Sequence, residues 1–358
     1  FKVSDISCPV IVGGAALSNR FTRTRIAPEY DGLVAYANDA MSGLELANVI
    51  QNEETRNSLF STLHEETLAL SKDSLKAPRL AINKVARAQI RHDIKIPVPP
   101  DLKLHVLKDY PLEDIFHYIN PQMLYVRHLG FRGKFEQALK NGNESAKELF
   151  DAVRRVEDVI LSRKDIKANA VYRFFPCDSD DQHLFLYEQD RKTKLENFYF
   201  GRQSDKDGLC ISDYIQPRDS KITDYIAMFI TTIGQGVRNL AREWQEQGEY
   251  LNSHILLALA IESAEAFAEL LHQKIRHMWG FSDGSELNNQ DLFKAKYRGK
   301  RYSFGYPACP ILEDQSKLFR QLDATKNIGV ALTDGYMMDP EASVSAMVIH
   351  HPDAKYFN

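Results

Sequence analysis

From Tyr250 to Trp279 apolar residues recur at helical spacing without a break, and no other stretch limits the fold as tightly. Leu256, Ala260, Ala264, Phe267, Leu271 and Ile275 form one stripe along this helix. A stripe that long needs a broad apolar surface to cover it, and its neighbours in the chain read as that surface. Ala170–Pro176, His183–Glu188 and Leu195–Phe200 alternate or run apolar as strands do, and Ser343–Ile349 closes the set. Tyr225–Ile233 is so uniformly apolar that periodicity leaves strand and helix both open. Glu144–Ser162 is a second amphipathic helix, with Leu149, Val153, Val156 and Ile160 on one side. Lys317–Asn327 reads as another helix, stopped by Gly329 at the position where a left-handed residue ends helices. From Pro111 onward the chain therefore reads as one α+β domain.

The beginning of the chain has a different pattern. Cys8–Gly14 reads as a short buried strand ending in the double glycine Gly13-Gly14. Ser18–Tyr30 reads as a helix opened by a Ser/Asn cap, and Leu33–Tyr36 as a second strand followed by Asn38-Asp39-Ala40. Strand, helix and strand in that order belong to a parallel sheet of an α/β domain. One such unit cannot bury both faces of its sheet, so the rest of that domain is expected upstream. The chain starts at Phe1 and stops at Tyr356-Phe357-Asn358, which reads as a piece of a longer protein; trimmed ends are the alternative. Between the two patterns, residues 51–100 are rich in Glu, Lys, Arg and Ala and end in Ile96-Pro97-Val98-Pro99-Pro100. They read as a helical linker with a proline stop, although residues 51–75 read equally well as a surface helix of the first domain. The expected division is 1–50, 51–100 and 101–358.

A net charge of −4 with interspersed acids and bases argues against a nucleic-acid partner. Cys8, Cys177, Cys210 and Cys309 make no CxxC pair, so no metal site is expected in this chain. Four scattered thiols fit a reducing, cytoplasmic setting. No apolar run reaches membrane-spanning length and no signal peptide is seen, so no membrane partner is expected.

The chemistry concentrates in residues 297–310, YRGKRYSFGYPACP. Gly299 and Gly305 permit backbone geometry closed to other residues, and Pro307 and Pro310 stiffen the chain beyond them. Arg301 stands inside this segment, read here as a constrained loop. A guanidinium so held suits bidentate capture of a carboxylate, and Tyr297, Tyr302, Phe304 and Tyr306 offer ring faces for a cation or a purine. A rigid connector with a surface arginine is the other reading of the same residues. Cys309 reads as packing.

Arg301, three residues and then Gly305-Tyr306-Pro-Ala-Cys-Pro310 resembles the S-adenosylmethionine-binding signature of cobalamin-dependent methionine synthases. Ala264–Glu269 with Leu271-His272, Leu209–Pro217 with Asp224-Tyr225-Ile226, Gly329–Thr333, Ala342–Ser345 and His351–Phe357 resemble further blocks of that family's activation domain, in family order. Pro9–Ala15 and Asp39-Ala40 resemble the last strand–helix–strand of its Rossmann-like cobalamin-binding domain. The resemblance implies a mixed, largely antiparallel sheet with long helices. It also implies reductive re-methylation of cob(II)alamin by S-adenosylmethionine, within a methyltransferase that carries methyl from 5-methyltetrahydrofolate to homocysteine.

The resemblance assigns residues position by position. Arg301 would take the ligand carboxylate, Tyr356 and Phe357 would contact the ligand, and Gly305 and Tyr306 would shape the pocket. Glu265 matches an acidic family position near the ligand. Asn120, in Tyr118-Ile119-Asn120-Pro121, stands where the family has an aspartate beside the ligand's amino group. The missing charge predicts weaker binding, by about tenfold. Leu312–Gln315 replaces a His-Thr-Glu-Lys run, and Ala295 or Lys296 replaces a family acid. Gly13, Gly14 and Ala40 would lie near the nucleotide tail of cobalamin. The cobalt-ligating histidine and the zinc of the family belong to upstream sequence. Implied partners are the cobalamin, folate and homocysteine domains of the same protein and flavodoxin or a similar reductase. The competing readings are a reactivation module that docks on a separate corrinoid protein, and a degenerate paralogue.

Overall fold

A computed structural model describes residues 8–13, 19–37, 40–74, 88–203, 208–284 and 286–357, and the chain falls into two units, Phe1–Lys84 and Val85–Asn358.

In the first unit, β1 (Val10–Gly13) pairs in parallel with β2 (Val34–Ala37), Val10 opposite Val34 and Gly13 opposite Ala37. The connection is not the single helix that the sequence predicts. It is a short α1 (Asn19–Phe21) that widens into a π-turn over Thr22–Ile26 and tightens into a 3-10 turn over Ala27–Glu29. Pro28 has no N–H to continue the ladder, which explains the tightening. Arg23 is buried and gives its guanidinium to the carbonyls of Val34 and Leu63, so the turn is tied both to β2 and to a long helix later in the unit. That helix, α3 (Glu53–Ser74), comes after α2 (Ala40–Gln51). Among the described residues of 51–100 it is the long helical part, Gln51 being the last residue of α2.

In the second unit, residues 88–100 form neither helix nor strand. Prolines 97, 99 and 100 forbid helix here, and the segment is pinned instead by side chains. Trp279 Nε1 donates to Pro97 O at 2.9 Å, and Gln216 Nε2 to His92 O at 2.7 Å. Then come β3 (His105–Leu107), α4 (Leu112–Phe116), a π-turn over Gln122–His128, α5 (Phe135–Lys140) and α6 (Glu144–Ser162). α6 has the predicted bounds, with Asn143 Oδ1 capping Ala146 N.

The sheet comes next: β4 (Lys167–Asp180), β5 (His183–Tyr187), β6 (Lys194–Tyr199) and β7 (Asp224–Gln235). After α7 (Val237–Glu246), α8 (Tyr250–Met278) and α9 (Asn289–Phe293) come β8 (Lys300–Tyr302), α10 (Gln315–Leu322), α11 (Ala324–Ile328), the hairpin β9 (Ala331–Leu332) and β10 (Met338–Asp339), and β11 (Ser343–Ile349). The strand order is β6-β5-β4-β7-β11-β8, with β3 also on β4, and every described pair in this sheet is antiparallel.

Tyr225–Ile233 is thus strand, and its uniform apolarity has a reason. Tyr225, Ala227 and Phe229 face one core, which α6 and α8 complete, while Ile226, Met228 and Ile230 face a second core on the other side of the sheet. Both faces being buried, no alternation survives. Lys317–Asn327 is a correction. Asp323 adopts φ 46°, which splits the expected single helix into α10 and α11, and Gly329 closes the second at φ 70°.

Candidate functional site

α8 lies across the sheet with its apolar stripe buried, and carries three carboxylates on the side turned towards residues 297–310. Glu262, Glu265 and Glu269 are spaced at three- and four-residue intervals, so they share one helix face. That face, the turn containing Asn120, the end of α9, β8 with the turn after it, and the chain end at Tyr356-Phe357 enclose a cavity of about 590 Å³. Arg301, Asn120, Glu265, Tyr306, Tyr356 and Phe357 all line it.

Arg301 does not sit in a loop. It is the middle residue of β8, an edge strand paired with β11, where Arg301 is opposite Val348. Gly299 at φ 75° and Gly305 at φ 88° bracket the strand. At Gly299 a Cβ would stand 2.6 Å from Ile349 O, so only glycine lets the chain enter β8. After the strand, Gly305 N donates to Cys309 O and Cys309 N to Tyr306 O, each at 2.8 Å. The Gly-Tyr-Pro-Ala-Cys run is therefore a closed turn that pushes Tyr306 outward, 64% exposed. Gly305 shapes this turn but is not among the residues lining the cavity. Cys309 is buried, and burial pushes its thiol far up, in keeping with packing.

The guanidinium of Arg301 meets α8. Nη1 donates to Glu269 Oε2 and Nη2 stands 3.9 Å from Glu265 Oε2. Burial opposes the Arg301 charge, but Glu269 and Tyr297 outweigh it and hold the group above its ordinary value. Beneath the cavity the network continues. Tyr297 OH donates to Glu269 Oε2 at 3.3 Å, Arg276 stacks on the Tyr297 ring at 3.9 Å, and Arg276 Nη2 binds Asp283 Oδ2 at 2.5 Å. Lys300 Nζ is buried on the carbonyls of Tyr297 and Gly299. His272 is wholly buried, and burial, Arg276, Arg301 and Lys300 push it well below its ordinary value, so it is neutral. Three cationic side chains (Arg276, Lys300, Arg301) thus face three carboxylates, Glu269 and Asp283 beneath the cavity and the half-exposed Glu265 at its wall, so the charges balance. Glu269 Oε1 and Arg276 Nη1, 4.0 Å apart, make no hydrogen bond among the described residues. Arg301 lines the cavity while Glu269 fixes its guanidinium, which places a held cation where an anionic group of a ligand could meet it.

Asn120 Oδ1 accepts from Gln122 N at 3.0 Å, capping its own turn. Tyr356 is 43% exposed, and its ring meets Tyr302 edge-on at 5.9 Å. At the far end of the carboxylate row, Glu262 Oε1 stands 2.8 Å from His128 Nε2. Burial and then Glu265 push Glu262 up to about 7, and burial and Arg127 push His128 down. Sequence reasoning passed over Glu262, Glu269 and His128. The signal was present, since an acid every turn on the buried face of an apolar helix needs partners.

In the first unit, Gly13 ends β1. A Cβ there would lie 2.7 Å from Ala37 O, so strand pairing accounts for its missing side chain. Ala40 begins α2, and Gly14 lies outside the described residues. No group of three or more His, Cys, Asp or Glu that could hold a metal occurs among the described residues. No described helix is long and apolar enough to cross a membrane.

A family model described as "Vitamin B12 dependent methionine synthase, activation domain" matches residues 111–358. The methionine synthases of Mycobacterium tuberculosis and Mycobacterium leprae are each 29% identical to the chain over 98% of its length. The chain spans 32% of each of these relatives, about a third of their length. A solved structure described as the MetH reactivation domain bound to AdoHcy aligns with a TM-score of 0.72 and 27% identity, covering 78% of this chain and 88% of that one.

Proposed function

This chain belongs to the vitamin B12 dependent methionine synthase activation-domain family, and on that footing we propose that its larger unit binds S-adenosylmethionine and presents the sulfonium methyl for reductive re-methylation of cobalamin. The observation that carries this reading is Arg301, fixed by β8 and Glu269 at the wall of a 590 Å³ cavity. An amino-acid carboxylate is the anion that this arrangement suits. A solved relative with AdoHcy bound, the demethylated form of the proposed ligand, supports it.

In this reading Arg301 holds the ligand carboxylate, and Glu265 and Asn120 flank its amino group. Tyr306, Tyr356 and Phe357 cover the ligand at the cavity mouth, and Gly305 sets the turn that aims Tyr306. No general base is required of the chain, whose contribution is orientation and the exclusion of water. Cobalamin, when bound, supplies a reduced cobalt nucleophile that takes the methyl group. Gly13, Gly14 and Ala40 would meet its nucleotide tail. Gly13 ends β1 and Ala40 opens the helix that follows β2, both on the carboxyl side of the parallel pair, where open α/β sheets receive ligands. The proposed division is a cobalamin-domain end over 1–50, a linker over 51–100 and the activation domain over 101–358. The proposed setting is a cytoplasmic methyltransferase with upstream cobalamin, folate and homocysteine domains and a flavodoxin-like electron donor.

Titration calorimetry with S-adenosylmethionine tests the reading. Saturable binding at micromolar to submillimolar ligand is expected. No heat at millimolar ligand would overturn it.

A further inference from the structure

We propose that Glu262, bonded to His128, is the residue by which this cavity recognises the sulfonium charge of its ligand, an inference that rests on the S-adenosylmethionine reading above. Glu262 is only 4% exposed yet lines the cavity, and among the described residues it is within ion-pair range of His128 alone. The other two carboxylates of the row are occupied at the amino-acid end. Glu269 takes the Arg301 guanidinium, and Glu265 stands 3.9 Å from it with half its side chain exposed, free to face an ammonium. Glu262 lies about 4.5 Å further along the helix axis from Glu265. The next charge along the ligand is the sulfonium, and the next carboxylate along α8 is Glu262.

The charged and titratable groups around the pair are few. His128 and Arg127 come from the π-turn, Glu265 and His254 from α8, and Arg301 from β8. Arg238 and Glu341 line an adjoining hollow that shares His128. No lysine or arginine neutralises Glu262 directly among the described residues, so on the acid side of pH 7 the two side chains hold one proton between them and carry no net charge. A sulfonium alongside favours the ionised carboxylate, with neutral imidazole donating Nε2–H to it. The displaced proton leaves to solvent. With the Glu262 carboxyl poised at about 7, binding of the sulfonium ligand should release up to one proton and tighten about tenfold from pH 6 to pH 8. The thioether counterpart, S-adenosylhomocysteine, shares the carboxylate and the ammonium but lacks the sulfonium, so its affinity should change much less.

The test is calorimetry of both ligands on the whole chain at pH 6, 7 and 8, in two buffers of unlike ionisation heat, for the parent and for Glu262→Gln. Gln can keep the bond to His128 while removing the charge. For the parent, proton release and a rising preference for S-adenosylmethionine with pH are expected. In Glu262→Gln the slope vanishes and the preference narrows about tenfold. Parallel pH profiles for the two ligands in the parent overturn the inference while leaving the function reading intact, and this arm needs no variant to fold. A folded Glu262→Gln that keeps the parent's slope also overturns it. Failure of the parent to bind either ligand overturns both readings.

Discussion

Arg301 is held from two directions, by the β8 backbone and by a carboxylate one helix away. Glu269 carries most of that restraint and also separates Arg301 from Arg276. Glu269→Ala would leave Arg301 without its buried partner while Arg276 keeps Asp283, and removal of one member of such a cluster costs about 3–5 kcal/mol. A drop of that size in urea-derived stability is expected, whereas Glu265→Ala, at a half-exposed side chain, should cost under about 1 kcal/mol. Asn120 gives a second prediction. Its Oδ1 already caps Gln122 N, and an aspartate would keep that bond and add charge facing the cavity. Asn120→Asp should tighten S-adenosylmethionine binding by about tenfold, in line with about 1–2 kcal/mol for charging a hydrogen bond; titration reads this directly. Arg301 drew notice because glycine and proline constrain the segment around it, but its role, like those of Tyr356 and Phe357, came from the family resemblance. Glu269 was not, because an acid on a helix reads as solvated until the partner at residue 301, far along the chain, is brought to it.

At the scale of elements, the stop at Asp323 is the local strain with the clearest remedy. A non-glycine residue at φ 46° between two helices carries a steric penalty, and its ion pair with Lys326 is exposed at 3.7 Å and weak. Asp323→Gly should raise stability by about 0.5–1 kcal/mol, visible as a higher unfolding midpoint. Periodicity could not show this break, since buried Leu318, Leu322, Ala324 and Ile328 keep the stretch apolar on both sides of it. The bounds of α6 and β11 were readable because a cap or a chain reversal ends each. β8 was hidden because Gly299 and Gly305 make residues 297–310 look like loop; its pairing with β11 depends on a strand some forty residues later, which local pattern cannot carry. The proline-rich stretch had a legible conformation, but not its attachment, which runs through Trp279 Nε1 to Pro97 O.

For the whole molecule, the sheet's two buried faces divide the labour. α8 closes one core and turns its carboxylate row to the cavity, while the turn after β8 and the chain end at Tyr356-Phe357 complete the cavity from the other side. Residues from both ends of the second unit's sequence, Asn120 and Phe357, thus meet at one site, so ligand binding should be coupled to folding of the whole unit. The α+β class was legible from the strands and helices in sequence. The antiparallel order β6-β5-β4-β7-β11-β8 was not a matter of pattern, and only the family resemblance pointed to a largely antiparallel sheet. The most direct measurement is calorimetric titration of S-adenosylmethionine into the parent and into Arg301→Ala, each first shown to be folded by circular dichroism. The parent should bind and the variant should lose at least about a hundredfold in affinity, the worth of a charged hydrogen-bonded pair; equal affinity in a folded Arg301→Ala would remove Arg301 from the site.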